Sequence, residues 1–361
     1  MATRYVDPDA TVGGDGQSAG TLSGTDVIND GSGHRPYKTL SAWEAALPGT
    51  LTEVETCICL SQSSLHTADT TAVSINGCDT TTAFYIDIQT DAAARHAGVW
   101  NTAKYRLEVS NSIALEVLED NVRITGMQVR VAAGNANYQS VIPFTMSVSG
   151  PYDCRVIDCI LRGHRGQYAN NAVGLGNDRG TILIRNTIIY DFLFVSEFNV
   201  RPLNPGGGTW TLENLTVIGG YIGINNLGGT TTAKNVYVGG TISNDFACGS
   251  GTLAKTNCAS ADTSADDVGS GATATDCIIS KPVSTATFKN VTLTTEDYHL
   301  ASGSALRNAG TDPGTFTTDI DGETRSAPWD IGADEYSAPP AMGYLRRNAL
   351  RPAIFAPGRA R

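Results

Sequence analysis

The 361-residue chain is expected to be an all-β protein wound as a coiled solenoid, and three observations predict it. The first is a recurring frame. With Asn186 of Ile-Leu-Ile-Arg-Asn-Thr-Ile-Ile-Tyr as anchor, the same slot holds Asn214, Asn235 and Asn290, then Asp158, Asn257 and Asp276, and upstream Gly126. The second is the apolar pattern around that slot. Two residues before it stand Ile124, Val156, Ile184, Leu212, Ala233, Ala274 and Phe288; one after it come Met127, Cys159, Thr187, Leu215, Val236, Cys258, Cys277 and Val291. Three after it come Val129, Leu161, Ile189, Val217, Val238, Ile279 and Leu293, and only the copy with Lys255 and Ser260 breaks the rule badly. The third is composition: 39 Gly against 14 Pro, with 7% aromatic and 17% charged residues, suits many short strands joined by turns.

Strand side chains alternate between faces, so positions +1 and +3 share one side. Position −2 joins them only if the chain bends at the anchor. Asn, Asp and Gly tolerate a left-handed backbone, which makes that bend inexpensive. Each copy therefore reads as strand, corner, strand around one interior. The anchors are 32, 28, 28, 21, 22, 19 and 14 residues apart, the range of one solenoid turn except for the last interval, which is too short.

On these residues the chain resembles the right-handed parallel β-helix family typified by pectate lyases and phage tailspikes. Asn186, Asn214, Asn235 and Asn290 look like that family's Asn ladder, and the resemblance covers roughly residues 105–295. It implies an architecture and leaves the chemistry open, because lyases, hydrolases and inert fibres share it.

In chain order, residues 1–50 read as an entering strand (Tyr5-Val6-Asp7), a glycine-rich loop and a short helix over 39–47. Leu40, Trp43 and Leu47 share one face of that helix and would cover the open end of the coil; Thr39 and Ser41 are both plausible caps. Residues 51–296 form the β-helix, with early strands at 54–60, 72–75, 83–88, 105–109, 113–118 and 121–131. Segments 132–152, 162–181 and 195–208 read as projecting loops. Residues 297–338 read as an irregular C-terminal cap; Asp319-Ile-Asp-Gly-Glu-Thr-Arg325 and Asp330-Ile-Gly-Ala-Asp-Glu-Tyr336 resemble the closing segment of bacterial β-helix proteins. After Pro339-Pro340 the stretch 339–361 reads as a basic docking arm.

The net charge of −11 is unevenly placed: residues 337–361 carry five arginines and no acid, leaving −16 on the rest. An acidic body disfavours nucleic acid as a partner. No apolar run is long enough for a membrane span, and no apolar secretory segment is visible at the start, so synthesis in a host cytoplasm and a place in a virion are expected. The eight cysteines are too scattered for a disulfide framework. Buried thiols are the expectation, although Cys258 and Cys277 on adjacent turns would sit about 4.8 Å apart, within bridging range. Cys57, Cys59 and His66 are too few for a metal site.

The chemistry-bearing candidates are few. Asp178, Asp191, Arg185 and Glu213 stand among the charges that could serve a lyase, which neutralises a uronate and removes an α-proton, or a hydrolase, which needs paired carboxylates. Against this, Arg185, Glu213 and Lys234 would stack on successive turns as a charge ladder. Asp319, Asp321 and Asp330 are candidate Ca2+ ligands, but the fifth position of an EF-hand loop lacks Asp or Asn and the twelfth is Asp330. A cap whose carboxylates bond backbone N–H groups and Arg325 is the plainer reading, so no cofactor is expected. In the arm, Arg346, Arg347, Leu350, Arg351, Ile354, Phe355, Arg359 and Arg361 combine cations with apolar anchors, as a segment that docks on a partner would.

The resulting expectation is a non-enzymatic phage-type virion protein: a capsid decoration or cement protein, or a tailspike-like appendage. It would dock to capsid or tail subunits through the arm and carry a possible surface-glycan contact, and the resemblance implies a homotrimer. The rival is a polysaccharide lyase or glycoside hydrolase, a capsule depolymerase working in a groove on the flank.

Overall fold

The computed structural model describes residues 1–133, 139–144, 152–164, 169–174, 180–192, 200–268 and 270–338. Its spine is a ladder of parallel strands in sequence order: Ala2–Val6, Glu55–Cys59, Ile86–Thr90, Val122–Thr125, Tyr152–Ile157, Gly180–Phe192, Thr209–Gly219, Thr230–Gly239, Thr252–Thr256 and Ala272–Thr275. The −2 slots stack in register, Val156 on Ile184, Ile184 on Leu212, Leu212 on Ala233 and Ala233 on Lys255. Strands paired in parallel with one turn of chain between them make a parallel β-helix.

The anchors bend as expected. Asp158, Asn186, Asn214, Asn235, Asn257 and Asp276 have φ between 46° and 55°, and Gly126 has 74°. Each corner sends the chain into a second wall without reversing which side chains face inward, so Ile184, Thr187 and Ile189 are all fully buried. Lys255, which breaks the pattern, is also inside: its ammonium donates to the carbonyls of Ser264 at 2.6 Å and Asp267 at 2.9 Å. A buried ammonium needs such acceptors in place of water.

Three expectations are corrected. Asn290 is not a ladder member, because Phe288–Asn290 pairs antiparallel with Asp297–Leu300, and Leu293 is 63% exposed. Fourteen residues cannot complete a turn. The supposed loops also contribute strands: Gln139–Pro143, Ala169–Gly174 and Leu203–Asn204 join Ile222–Asn226 and Asn244–Cys248 in a further parallel wall. Val141, Ile142, Phe144, Val173 and Leu203 are fully buried there, since closing each turn requires a wall at this place.

The third correction concerns residues 281–338, which run along the flank instead of closing an end. The solenoid's outward slots carry Ile160, Ile188, Tyr190, Ile218 and Tyr237, and Phe288, Tyr298, Leu300, Leu306, Ile320 and Ile331 cover them as a second core. Phe288 meets Tyr237 and Tyr298 edge-on at 5.2 and 5.4 Å, and Tyr298 meets Tyr190 at 5.3 Å. Full burial stabilises by about 1.5–3 kcal/mol per large apolar side chain, so an apolar outer face recruits a cover. The strap then follows the ladder: Asn257, Asn235 and Asn186 donate their side-chain N–H to the carbonyls of Ala309, Thr311 and Thr318. At the other end, the helix Leu40–Glu44 starts at Thr39, whose hydroxyl accepts from the Ala42 N–H, and buries Leu40 and Trp43 against the first turns.

Candidate functional site

Of the residues proposed for catalysis, the three that are described, Arg185, Asp191 and Glu213, do not assemble into one centre. Arg185 and Glu213 pair on adjacent turns, with Arg185 Nη2 2.8 Å from Glu213 Oε2, and Lys234 follows in the same slot. The strap closes over this pair: Thr315 accepts a hydrogen bond from Arg185, and the Phe316 ring lies 4.1 Å from the guanidinium carbon. Asp191 is engaged elsewhere, 2.6 Å from Arg162, whose other nitrogen lies 3.9 Å from Glu296. Asp178 and the docking residues from Arg346 to Arg361 lie outside the described residues. Trp210 is buried and donates to the Gly207 carbonyl, which makes it structural.

Of the three candidate calcium ligands, Asp319 and Asp330 are bonded to backbone N–H groups. Asp319 accepts the backbone N–H groups of Asp321 and Glu323 on one oxygen and of Glu335 on the other. Asp330 accepts those of Asn308 and Tyr336. Arg325 bonds Glu335 and the carbonyls of Gly332 and Ala333. Asp319, Asp330, Arg325 and Glu335 thus hold the strap's turns together.

Asp321 also meets Asp334, from the Asp330–Tyr336 segment, and His299, which the sequence did not single out as a ligand. His299 Nε2 lies 3.2 Å from Asp321 Oδ2 and 3.9 Å from Asp334 Oδ1, while its Nδ1 lies 2.5 Å from Asp297 Oδ1. His299 comes from the strand Asp297–Leu300, Asp321 from the Asp-x-Asp-Gly turn and Asp334 from the last stretch of the strap. Asp334 is held by the Leu300 N–H on Oδ2 at 2.6 Å. The group opens onto a cleft of about 480 Å³ lined also by Lys289, Ser302, Glu323 and Tyr336. A loop from the early turns closes over it, where Gly98 has φ +67° and a Cβ would stand 2.4 Å from His299 Nε2.

The electrostatics follow from this crowding. Burial disfavours the charged form of His299, but the hydrogen bonds to Asp297 and Asp321 outweigh it and raise its pKa to about 10. Burial pushes Asp334 up to about 7. Asp319 is raised by burial and by its neighbour Asp321, which His299 holds low against its own burial. On the other side of the Gly98 loop, His96 is buried and neutral. It lies 3.0 Å from the Asp158 carbonyl through Nε2 and accepts the Gly98 N–H on Nδ1.

No protein-family model matches the chain, and no curated protein matches it. Among solved structures the chain is similar to the crystal structure of pectate lyase Pel9A, with a TM-score of 0.45, 13% sequence identity and coverage of 93% of this chain and 97% of that one.

Asp334 falls within the Asp330–Tyr336 segment, whereas His299 stood in no metal-ligand spacing. The one available signal was Asp297-Tyr-His299, in which the carboxylate lies two residues from the imidazole and so on the same side of a strand. Its meeting with Asp321 and Asp334 depends on how the strap folds back.

Proposed function

We propose that the protein is a structural and adhesive component of a larger assembly of the phage-particle kind, a head decoration or cement protein or a spike-like appendage. The observation that carries this reading is the Arg185–Glu213 pair. Two of the four charges considered for sugar cleavage bond each other beneath Phe316, as a structural ladder would. A rigid acidic body bearing a segment of arginines and apolar anchors suits attachment to a partner subunit, with the solenoid flank left for a surface glycan. A homotrimer belongs to the same reading.

The test is particle association of the full chain and of a chain lacking residues 340–361. Retained incorporation by the full chain, with loss on truncation, supports docking through that segment; equal incorporation removes it. Uronic and neutral polysaccharides incubated with purified protein test the rival: release of unsaturated uronate or of new reducing ends would replace the structural reading with a depolymerase.

A further inference from the structure

We propose that His299, Asp321 and Asp334 form a binding site for a first-row divalent transition ion such as Zn2+, with at least one coordination position open to the cleft. Three donors of different type converge there. His299 Nε2 and Asp321 Oδ2 are 3.2 Å apart, close to the roughly 3.3 Å edge that two donors at about 2.0–2.1 Å make in a tetrahedral shell. Asp334 Oδ1 lies 3.9 Å from Nε2, and the three donor atoms all lie within 4.8 Å of one another.

Two further observations point to a ligand and not to a closed internal network. Asp334 is 5% exposed and uses Oδ2 for the Leu300 N–H, while Oδ1 faces His299 beyond hydrogen-bond reach and has no other hydrogen bond among the described residues. Asp321 Oδ1 is fully buried, with no donor among the described residues other than the neighbouring Asp319 carboxyl when that is protonated. A buried carboxylate oxygen without a donor is costly, and a cation is its natural partner. The orientation of the imidazole is also set. Asp297 accepts a hydrogen bond from Nδ1 at 2.5 Å, so an ion that displaces the Nε2 proton meets an imidazole already oriented by a carboxylate. Gly98 keeps clear the space beside Nε2 that any other residue's Cβ would fill.

The donor set chooses the ion. One imidazole and two carboxylates suit Zn2+, Mn2+ or Co2+, whereas Ca2+ takes six to eight oxygens. The oxygens first suggested for calcium at Asp319 and Asp330 are occupied by backbone N–H groups.

The experiment adds Co2+ and, separately, Zn2+ to the purified full chain, following binding by calorimetry and the Co2+ complex by its visible spectrum. The expected result is one ion per chain, with d–d bands and without the thiolate-to-cobalt charge-transfer band that cysteine ligation would give. Asp321→Asn should weaken binding at least tenfold, and Asp297→Asn, which leaves all three donors in place, by about 10–100-fold. Far-UV circular dichroism checks that each variant folds, and Asp334→Asn replaces Asp321→Asn if that variant does not. Absence of stoichiometric binding overturns the proposal. So does binding with a thiolate band, or binding that the folded aspartate variants leave unchanged.

Discussion

Asn235 and Thr311 exchange two hydrogen bonds: the Asn235 amide donates to the Thr311 carbonyl at 2.7 Å, and the Thr311 N–H donates to Asn235 Oδ1 at 2.9 Å. The same amide also reaches Asn214 Oδ1 at 3.1 Å on the turn before. One side chain thus joins a solenoid corner, its neighbouring corner and the strap that covers both.

Replacing that residue separates backbone from side-chain effects. Asn235→Gly keeps the left-handed corner, at φ 55°, but loses the side-chain bonds; Asn235→Ala loses both. Chemical denaturation should show a loss of about 1–3 kcal/mol for the glycine variant and about 1 kcal/mol more for alanine. Equal losses in the two would mean that the bend is not what the anchor supplies.

The satellite core fixes the strap to the solenoid. Phe288→Ala removes a fully buried ring that meets both Tyr237 and Tyr298, and a loss of about 3–5 kcal/mol is expected. Limited proteolysis should then cut within 281–338 while the far-UV spectrum keeps its β signature. Cleavage spread evenly through the solenoid would show that the two units do not separate.

Breaking the charge ladder should affect stability. Glu213→Gln leaves Arg185 without its carboxylate beneath Phe316, and a loss of about 2 kcal/mol or more is expected by denaturant titration. A variant as stable as the parent would show that the pair is not structural, and would reopen the catalytic role for Glu213.

His96 gives the fold a dependence on acid. Burial, with Arg95 beside it, lowers its pKa from 6.5 to about 3. As pH falls below 6.5 the unfolded chain takes up a proton that the folded chain refuses, so this contribution is complete above 6.5 and is lost on the way down towards 3. Between pH 7 and pH 5 the native protein should lose about 2 kcal/mol relative to His96→Asn, in which that proton has no place. Parallel pH profiles for the two proteins would contradict a buried neutral imidazole.

Among the cysteines, Cys277 is expected to react first. None of the eight cysteines is in a disulfide, most are buried, and Cys277 is half-buried, with a pKa lowered by the Cys258 thiol and, to a smaller extent, by Lys255. Brief alkylation near neutral pH followed by peptide mass spectrometry should find the label at Cys277 ahead of Cys57, Cys59 and Cys159. Preferential labelling of one of those three would show that they are accessible.

The corner frame was legible because it is local. A left-handed anchor and the apolar slots at −2, +1 and +3 are properties of six consecutive residues, and repetition from Gly126 to Asp276 made the winding visible. The Thr39 cap and the Arg185–Glu213–Lys234 ladder follow from the same kind of spacing. Apolar residues at the outward slots, Ile160, Ile188 and Tyr237, were the overlooked sign that a cover must exist.

The sequence by itself determined that this chain coils, where it turns corners and which side chains line the interior, since strand periodicity and backbone tolerance act over a few residues. Only the tertiary structure decided that residues 281–338 fold back along the flank and not across an end. The same folding back brings Asp321 to His299 and Asp334, while Asp319 and Asp330 bond backbone N–H groups of the strap. Those meetings join positions from 13 to 35 residues apart along an irregular segment. Their geometry is set by which apolar surface the strap must cover, a quantity that no local pattern encodes.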